Sequence, residues 1–230
     1  LCEGLKADAA IVAEPTELKV VVASKGVLRL RIHAFGKSAH SSKPHLGNNA
    51  ITQMSKLVLA LEQENVRLSR ITHSLLGAPT VNVGVIRGGV QVNFVPDSCS
   101  IEVDRRLLPG ESADAAVREF QGVLNRLKAA NEGFEARIEE PLLLVDEALD
   151  TPPESAVVRH ALSVAERLGL SEEACGVPFG SDASKLSRAG VPAIVFGPGS
   201  IDQAHSVDEY VELSQVERAC AFYREFILSF

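Results

Sequence analysis

Apolar and polar residues alternate along residues 27–35 (Val-Leu-Arg-Leu-Arg-Ile-His-Ala-Phe), the period of a strand with one buried face. Within residues 49–64 the rhythm changes: Ile51, Met54, Leu57, Val58 and Leu61 recur at helical spacing and share one side. Residues 80–86 and 98–104 read as two further strands joined around Arg87-Gly88-Gly89. A second amphipathic helix over residues 112–130 turns Ala116, Phe120, Val123, Leu124 and Leu127 inward, with Ser112 placed to cap it. Residues 134–138 alternate again and close the series. The order β-α-β-β-α-β predicts a ferredoxin-like module over residues 25–139.

The flanks follow other patterns. Residues 9–13 form a short, wholly apolar strand, and residues 19–23 a second extended stretch. Beyond Pro141 and Thr151-Pro152-Pro153, residues 154–168 are helical and stop at Gly169. Residues 178–190 carry a Gly-Ser-Asp loop running into a short helix. Residues 191–196 are continuously apolar, as in a parallel strand covered on both faces, and residues 215–228 form a last amphipathic helix. The expected architecture is α/β: a layer built from residues 1–24 and 140–230, interrupted by an inserted ferredoxin-like domain at 25–139. The chain opens Leu-Cys-Glu-Gly, and its one methionine is Met54. With an interior-type strand so close to Leu1, a shortened front end is expected, its edge at 9–13 and the faces of 191–196 left bare.

Composition narrows the function. Hydrophobic residues make up 46% and charged residues 23%, an ordinary globular balance. A formal net charge of -7 and the lack of any Trp argue against a nucleic-acid surface, which needs clustered cations and stacking aromatics. No apolar run approaches the ~20 residues of a membrane span. Cys2, Cys99, Cys175 and Cys220 are widely spaced and form no CxxC pair, so four small buried hydrophobes in a reducing cytoplasm are expected.

Two groups of residues carry candidate chemistry. Glu14 directly follows the strand at 9–13, and His205 lies beyond the strand at 191–196. Ligands gather at the carboxyl ends of strands in open α/β sheets, and a carboxylate with an imidazole suits zinc. In the inserted domain, His40 sits in the polar turn Gly36-Lys37-Ser38-Ala39-His40-Ser41-Ser42, while Asn93 and Arg106 flank a strand. Donors of these types are what a tetrahedral oxyanion and a substrate carboxylate require. Taken singly, each also fits a plain role: a solvated loop Glu, a structural or turn His, an Asx-type turn, a surface Arg.

Their order is more telling. Ala13-Glu14-Pro15-Thr16, Gly36-x-x-Ala39-His40-Ser41 with Gly47-Asn48-Asn49-Ala50-Ile51, Asn93-x-x-Pro96-Asp97, Asp104-x-Arg106-x-x-Pro109-Gly110, Gly180-Ser181-Asp182-Ala183 and Ala204-His205-Ser206-x-Asp208-Glu209-Tyr210 follow one another. The series resembles the di-zinc metallopeptidase and deacylase family of acetylornithine deacetylase, succinyl-diaminopimelate desuccinylase, aminoacylase and glutamate carboxypeptidase. Residues 197–205, with Asp208-Glu209-Tyr210, are most similar to its acetylornithine deacetylase members.

The resemblance implies a zinc-exopeptidase-like catalytic layer, partial here, with a lid and dimerisation domain at 25–139. It implies two zinc ions per complete subunit, with cobalt or manganese as possible substitutes. Glu14 matches a carboxylate ligand of one metal and His205 a histidine ligand of the other. His40 matches the histidine that reaches across a homodimer to stabilise the oxyanion. Asn93 and Arg106 match substrate contacts, and Gly180, Ser181 and Asp182 a substrate-lining loop. The implied reaction is metal-assisted hydrolysis of an N-acyl amino acid or dipeptide-like substrate in the cytoplasm, without nucleic-acid or membrane partners. The family's His-x-Asp motif and its Glu-Glu pair ahead of the Glu14 segment are absent. Glu139-Glu140 and Glu172-Glu173 come too late in the chain and read as solvated surface carboxylates. On this reading the chain alone has one ligand per metal, no general base and no activity. A desuccinylase or small-peptide carboxypeptidase shares the chemistry; a non-catalytic dimerisation or binding module is the reading from another class.

Overall fold

The computed structural model describes residues 4–204 and 206–230. In chain order the elements are β1 (Ala10–Val12), β2 (Val21–Ser24), β3 (Gly26–Phe35), β4 (Ala39–His40), α1 (Ala50–Leu68), β5 (Thr80–Gly88), β6 (Phe94–Val95), β7 (Ser98–Leu107), α2 (Ala113–Ala130) and β8 (Glu135–Ile138). There follow β9 (Leu144–Asp146), β10 (Leu149–Asp150), α3 (Ala156–Arg167), β11 (Cys175–Val177), α4 (Ala183–Arg188), β12 (Ala193–Val195) and α5 (Leu213–Ser229). They fall into two compact units. One comprises Leu1–Gly26, Ser74–Leu76 and Asp146–Phe230; the other comprises Val27–His73 and Gly77–Val145.

In the second unit the strand order is β5-β7-β3-β8, with β9 also on β3. This is the ferredoxin-like arrangement, with both helices on one face of the sheet. Its cause is the alternation in β3: Leu28, Leu30, Ile32 and Ala34 are wholly buried, while Arg29, Arg31 and His33 face outward. Met54, Leu57 and Leu61 of α1 and Phe120, Val123 and Leu124 of α2 cover that inner face. Each such Leu, Ile or Phe stabilises the fold by about 1.5–3 kcal/mol relative to an exposed position. The helices start where side chains satisfy orphan amides: Asn49 accepts from the Thr52 N–H at 3.1 Å, and Ser112 from the Ala115 N–H at 3.2 Å.

The first unit holds a mixed sheet. β1 runs parallel to β12, β12 antiparallel to β2, β10 antiparallel and β11 parallel to β2. Residues 191–196 therefore lie in a mixed sheet rather than a parallel one, because β2 enters against β12. Val191, Ala193, Ile194, Val195 and Phe196 are buried, so the bare face expected there is covered. The Phe196 ring stacks on Phe222 of α5 at 3.7 Å between centroids, and Tyr223 donates to the Phe196 carbonyl at 2.7 Å.

Two further readings need correction. Glu139 is no solvated carboxylate: two-thirds buried, it bonds Arg31 at 3.0 Å and His33 at 2.5 Å. The His33 hydrogen bond and the Arg31 charge hold its carboxyl below the usual range. Nor are the cysteines uniformly buried: Cys99 is, Cys175 is half-buried, and Cys220 lies on the exposed side of α5, while Cys2 lies outside the described residues. No described helix is long and apolar enough to cross a membrane.

Candidate functional site

Glu14 stands two residues past β1, on the loop that leaves its carboxyl end. It is half-buried, and among the described residues its carboxylate has no hydrogen bond or ion pair. The loop is held by an unusual backbone. Glu17 and Leu18 both adopt positive φ, 54° and 60°, which costs a non-glycine residue about 1–3 kcal/mol. Three amides offset that strain: Thr16 and Leu18 donate to the Gly197 carbonyl at 3.3 and 3.0 Å, and Glu17 to the Gly199 carbonyl at 2.8 Å. Gly197 is required here, since a Cβ would lie 2.5 Å from the Glu14 carbonyl oxygen. Thus the loop bearing Glu14 and the loop after β12 form one structure. The second candidate ligand, His205, lies outside the described residues.

The Gly180-Ser181-Asp182 segment leads into α4. Ser181 is buried, and among the described residues its hydroxyl has no hydrogen-bond partner. Asp182 is exposed and bound to Lys185 at 2.6 Å, a hydrogen bond that, with Asp146 nearby, raises the lysine's affinity for its proton.

In the other unit, β4 and β6 form a small ribbon, with His40 opposite Phe94. The Ser41 amide donates to the Asn93 carbonyl at 3.0 Å, so His40 and Asn93 are brought together at one end of the ribbon. Gly36 sets the approach, because a Cβ there would lie 2.1 Å from the Asn48 carbonyl oxygen. The exposed His40 ring accepts the Ser42 N–H at Nδ1, 3.1 Å away, with the Ser42 hydroxyl at 2.8 Å. An amide only donates, so the neutral ring carries its proton on Nε2. Arg106 belongs to the larger sheet instead. Asp104 holds its Nε at 2.7 Å and its Nη2 at 3.4 Å, and also takes Arg29 at 2.8 Å. Arg106 Nη1 faces no described partner.

Sequence reasoning quoted Thr16, Ser42 and Gly197 only as parts of motifs and gave them no role, and it passed over Gln215, whose side chain accepts the Gly199 N–H at 2.8 Å. Ser42 alone left a local signal, a hydroxyl residue two positions past a candidate histidine in a turn.

Residues 22–132 match the peptidase dimerisation domain of the M20 peptidases. The chain is 34% identical over 212 residues to acetylornithine deacetylase of Myxococcus xanthus, covering 91% of this chain and 54% of that protein. These matches support a place for the chain among the M20 peptidases. Acetylornithine deacetylase of Vibrio vulnificus is likewise 34% identical over 225 residues, covering 92% and 55%. The chain spans about half the length of these curated relatives. Among solved M20-type folds it superposes on aminopeptidase PepT from Bacillus cereus with a TM-score of 0.81 at 23% identity, covering 98% of this chain and 58% of that one. A tripeptidase from Staphylococcus aureus gives 0.80 at 23% identity, covering 98% and 57%. These likenesses show an M20-type α/β fold, a partial zinc-exopeptidase layer with a ferredoxin-like insert.

Glu14 fits the metal that the likeness to this family implies: a carboxylate, held by a strained and pinned loop, with its oxygens bonded to no described group. It is one ligand, and the described residues hold no cluster of three His, Cys, Asp or Glu that could bind a metal ion by themselves.

Proposed function

We propose that this chain is part of a zinc-dependent amidohydrolase that cleaves the amide bond of an N-acyl amino acid, with N-acetylornithine as the first candidate substrate. The 34% identity to acetylornithine deacetylase across 91% of the chain carries this reading. Glu14 and His205 are the residues that would hold metal. In the family pattern the His-x-Asp and Glu-Glu motifs would supply the remaining ligands and the base. Bound zinc would supply a Lewis acid and an acidified water.

The chain's own residues bind and orient. His40, whose neutral form carries its proton on Nε2, offers an N–H donor suited to an oxyanion. Asn93, beside it on the ribbon, offers an exposed amide to the substrate. Arg106 is braced by Asp104 and retains Nη1 for a carboxylate. In the other unit, the Ser181 hydroxyl, without a hydrogen-bond partner among the described residues, is a further candidate donor.

The protein acts as a homodimer through residues 25–139. Support comes from the match to a dimerisation domain and from β5, which lies at the end of the strand order. Apolar side chains stand exposed around it, Ile86 at 55%, Val90 at 92% and Leu59 of α1 at 65%. An open edge beside apolar groups is a ready pairing surface. Unpaired Cys99, Cys175 and Cys220 agree with a cytoplasmic location.

The test is hydrolysis by the zinc-loaded, full-length protein, with N-acetylornithine compared against N-succinyl amino acids and dipeptides. Preference for N-acetylornithine supports the reading. Preference for a succinyl or peptide substrate keeps the chemistry and changes the pocket, and turnover of none contradicts the proposal.

A further inference from the structure

We propose that Thr16 is a positioning residue for metal binding, its hydroxyl setting where the Glu14 carboxylate stands; the inference rests on the reading of Glu14 as a metal ligand. Thr16 is 95% buried (5% exposed), and its side chain spans two loops 181 positions apart. Its oxygen accepts the Gly197 N–H at 3.0 Å and donates to the Lys19 carbonyl at 2.8 Å, with the Gly197 carbonyl 3.3 Å away. One hydroxyl thus closes the Glu14 loop onto itself and onto the strand-exit loop at 197–199.

The surroundings leave Glu14 little freedom once this pin is in place. Its carbonyl lies against the bare α-carbon of Gly197, where a Cβ would be 2.5 Å away. Thr16 also bridges Ser200 in antiparallel fashion. The far side of that loop is fixed in turn, since the Gln215 side chain accepts the Gly199 N–H at 2.8 Å. Two consecutive positive-φ residues, Glu17 and Leu18, store strain just beyond the pin and would relax if it opened. A hydroxyl whose loss releases a strained loop beside a ligand acts as an outer partner of the metal site. Loss of such a partner lowers metal affinity by about 10- to 100-fold.

The experiment measures zinc affinity of the metal-free, full-length protein by competition with a chromophoric chelator, alongside thermal melting of the same metal-free samples. Thr16→Val should weaken one zinc by about 10-fold or more at temperatures where the variant is fully folded, and Thr16→Ser should restore it. In a Glu14→Ala background, Thr16→Val should add no further loss, because the hydroxyl acts through Glu14. Wild-type zinc affinity in folded Thr16→Val overturns the proposal, as does an equal loss in Thr16→Ser or full additivity with Glu14→Ala. If Thr16→Val does not fold, Thr16→Ala replaces it under the same outcomes. If Glu14→Ala itself leaves zinc affinity unchanged, the ligand reading of Glu14 fails, and this inference with it.

Discussion

The Ser42 backbone amide points at Nδ1 of His40 across 3.1 Å, which leaves the neutral imidazole protonated at Nε2. The contact is local, within the β4 turn, so it is present before any substrate arrives. If His40 donates to an oxyanion, His40→Ala in the full-length protein should lower kcat by about 10²–10³ with little change in KM. Long-range ¹⁵N spectra of the wild type should show the Nε2–H tautomer for this ring. An unchanged kcat, or an Nδ1–H ring, contradicts the role.

Glu139 gives a pH-dependent signature. Its carboxyl is held low by the His33 hydrogen bond first and the Arg31 charge second. A carboxyl held below its unfolded value stabilises the fold above that value, about pH 4, and the contribution fades as pH falls through the lower folded value. Glu139→Gln should therefore melt below the wild type at pH 7, and the gap should close toward pH 3. A gap that stays constant across this range would show that packing, and not charge, is responsible.

Arg105 is buried at 1% exposure on the core-facing side of β7 and is paired with Glu111 at 2.5 Å; Glu111 also accepts the Leu108 N–H at 2.6 Å. Removing the carboxylate leaves a buried guanidinium without its partner, which costs about 3–5 kcal/mol. Urea unfolding of Glu111→Ala should show a loss of that size. A loss under about 1 kcal/mol would mean that water reaches the pair.

Ile86 stands exposed on β5, at the end of the strand order. In the proposed dimer, Ile86→Lys should shift the full-length protein toward monomer in light scattering and lower turnover in parallel, since His40 would lose its partner site. A stable dimer in this variant would place the interface elsewhere.

Gly36→Ala would press a Cβ to 2.1 Å from the Asn48 carbonyl oxygen, beneath the turn that carries His40. Overpacking of this kind costs about 1–3 kcal/mol, visible as a lowered melting temperature. An unchanged melt would show that the turn yields freely.

What the sequence could and could not convey follows from range. The long, regular patterns were legible: eight alternating residues, Leu28 to Phe35, in β3, and the apolar face of α1 from Ala50 to Leu61. The end of α1 was not, because the polar run Glu62-Gln63-Glu64-Asn65 masks the return of Leu68 to the core. Two- and three-residue strands such as β4, β6 and β11 carry no period to read; pairing with distant partners creates them. Glu139 looked like a surface carboxylate because Arg31 and His33 lie more than 100 positions away. For the candidate site, residue types were visible, and the contacts holding them were not. Thr16 meets Gly197 only after the sheet forms, and Asp104 takes two nitrogens of Arg106 through a strand-surface spacing that alternation alone does not disclose.

The central claim is that this chain supplies metal ligands from Glu14 and His205. Its most direct test is zinc content per subunit of the full-length protein, for the wild type, Glu14→Ala and His205→Ala, after dialysis against a weak chelator. The account predicts about two zinc ions in the wild type and about one in each variant, as expected for a site built around a pair of metals. Equal zinc content in all three proteins, or none in the wild type, would contradict it.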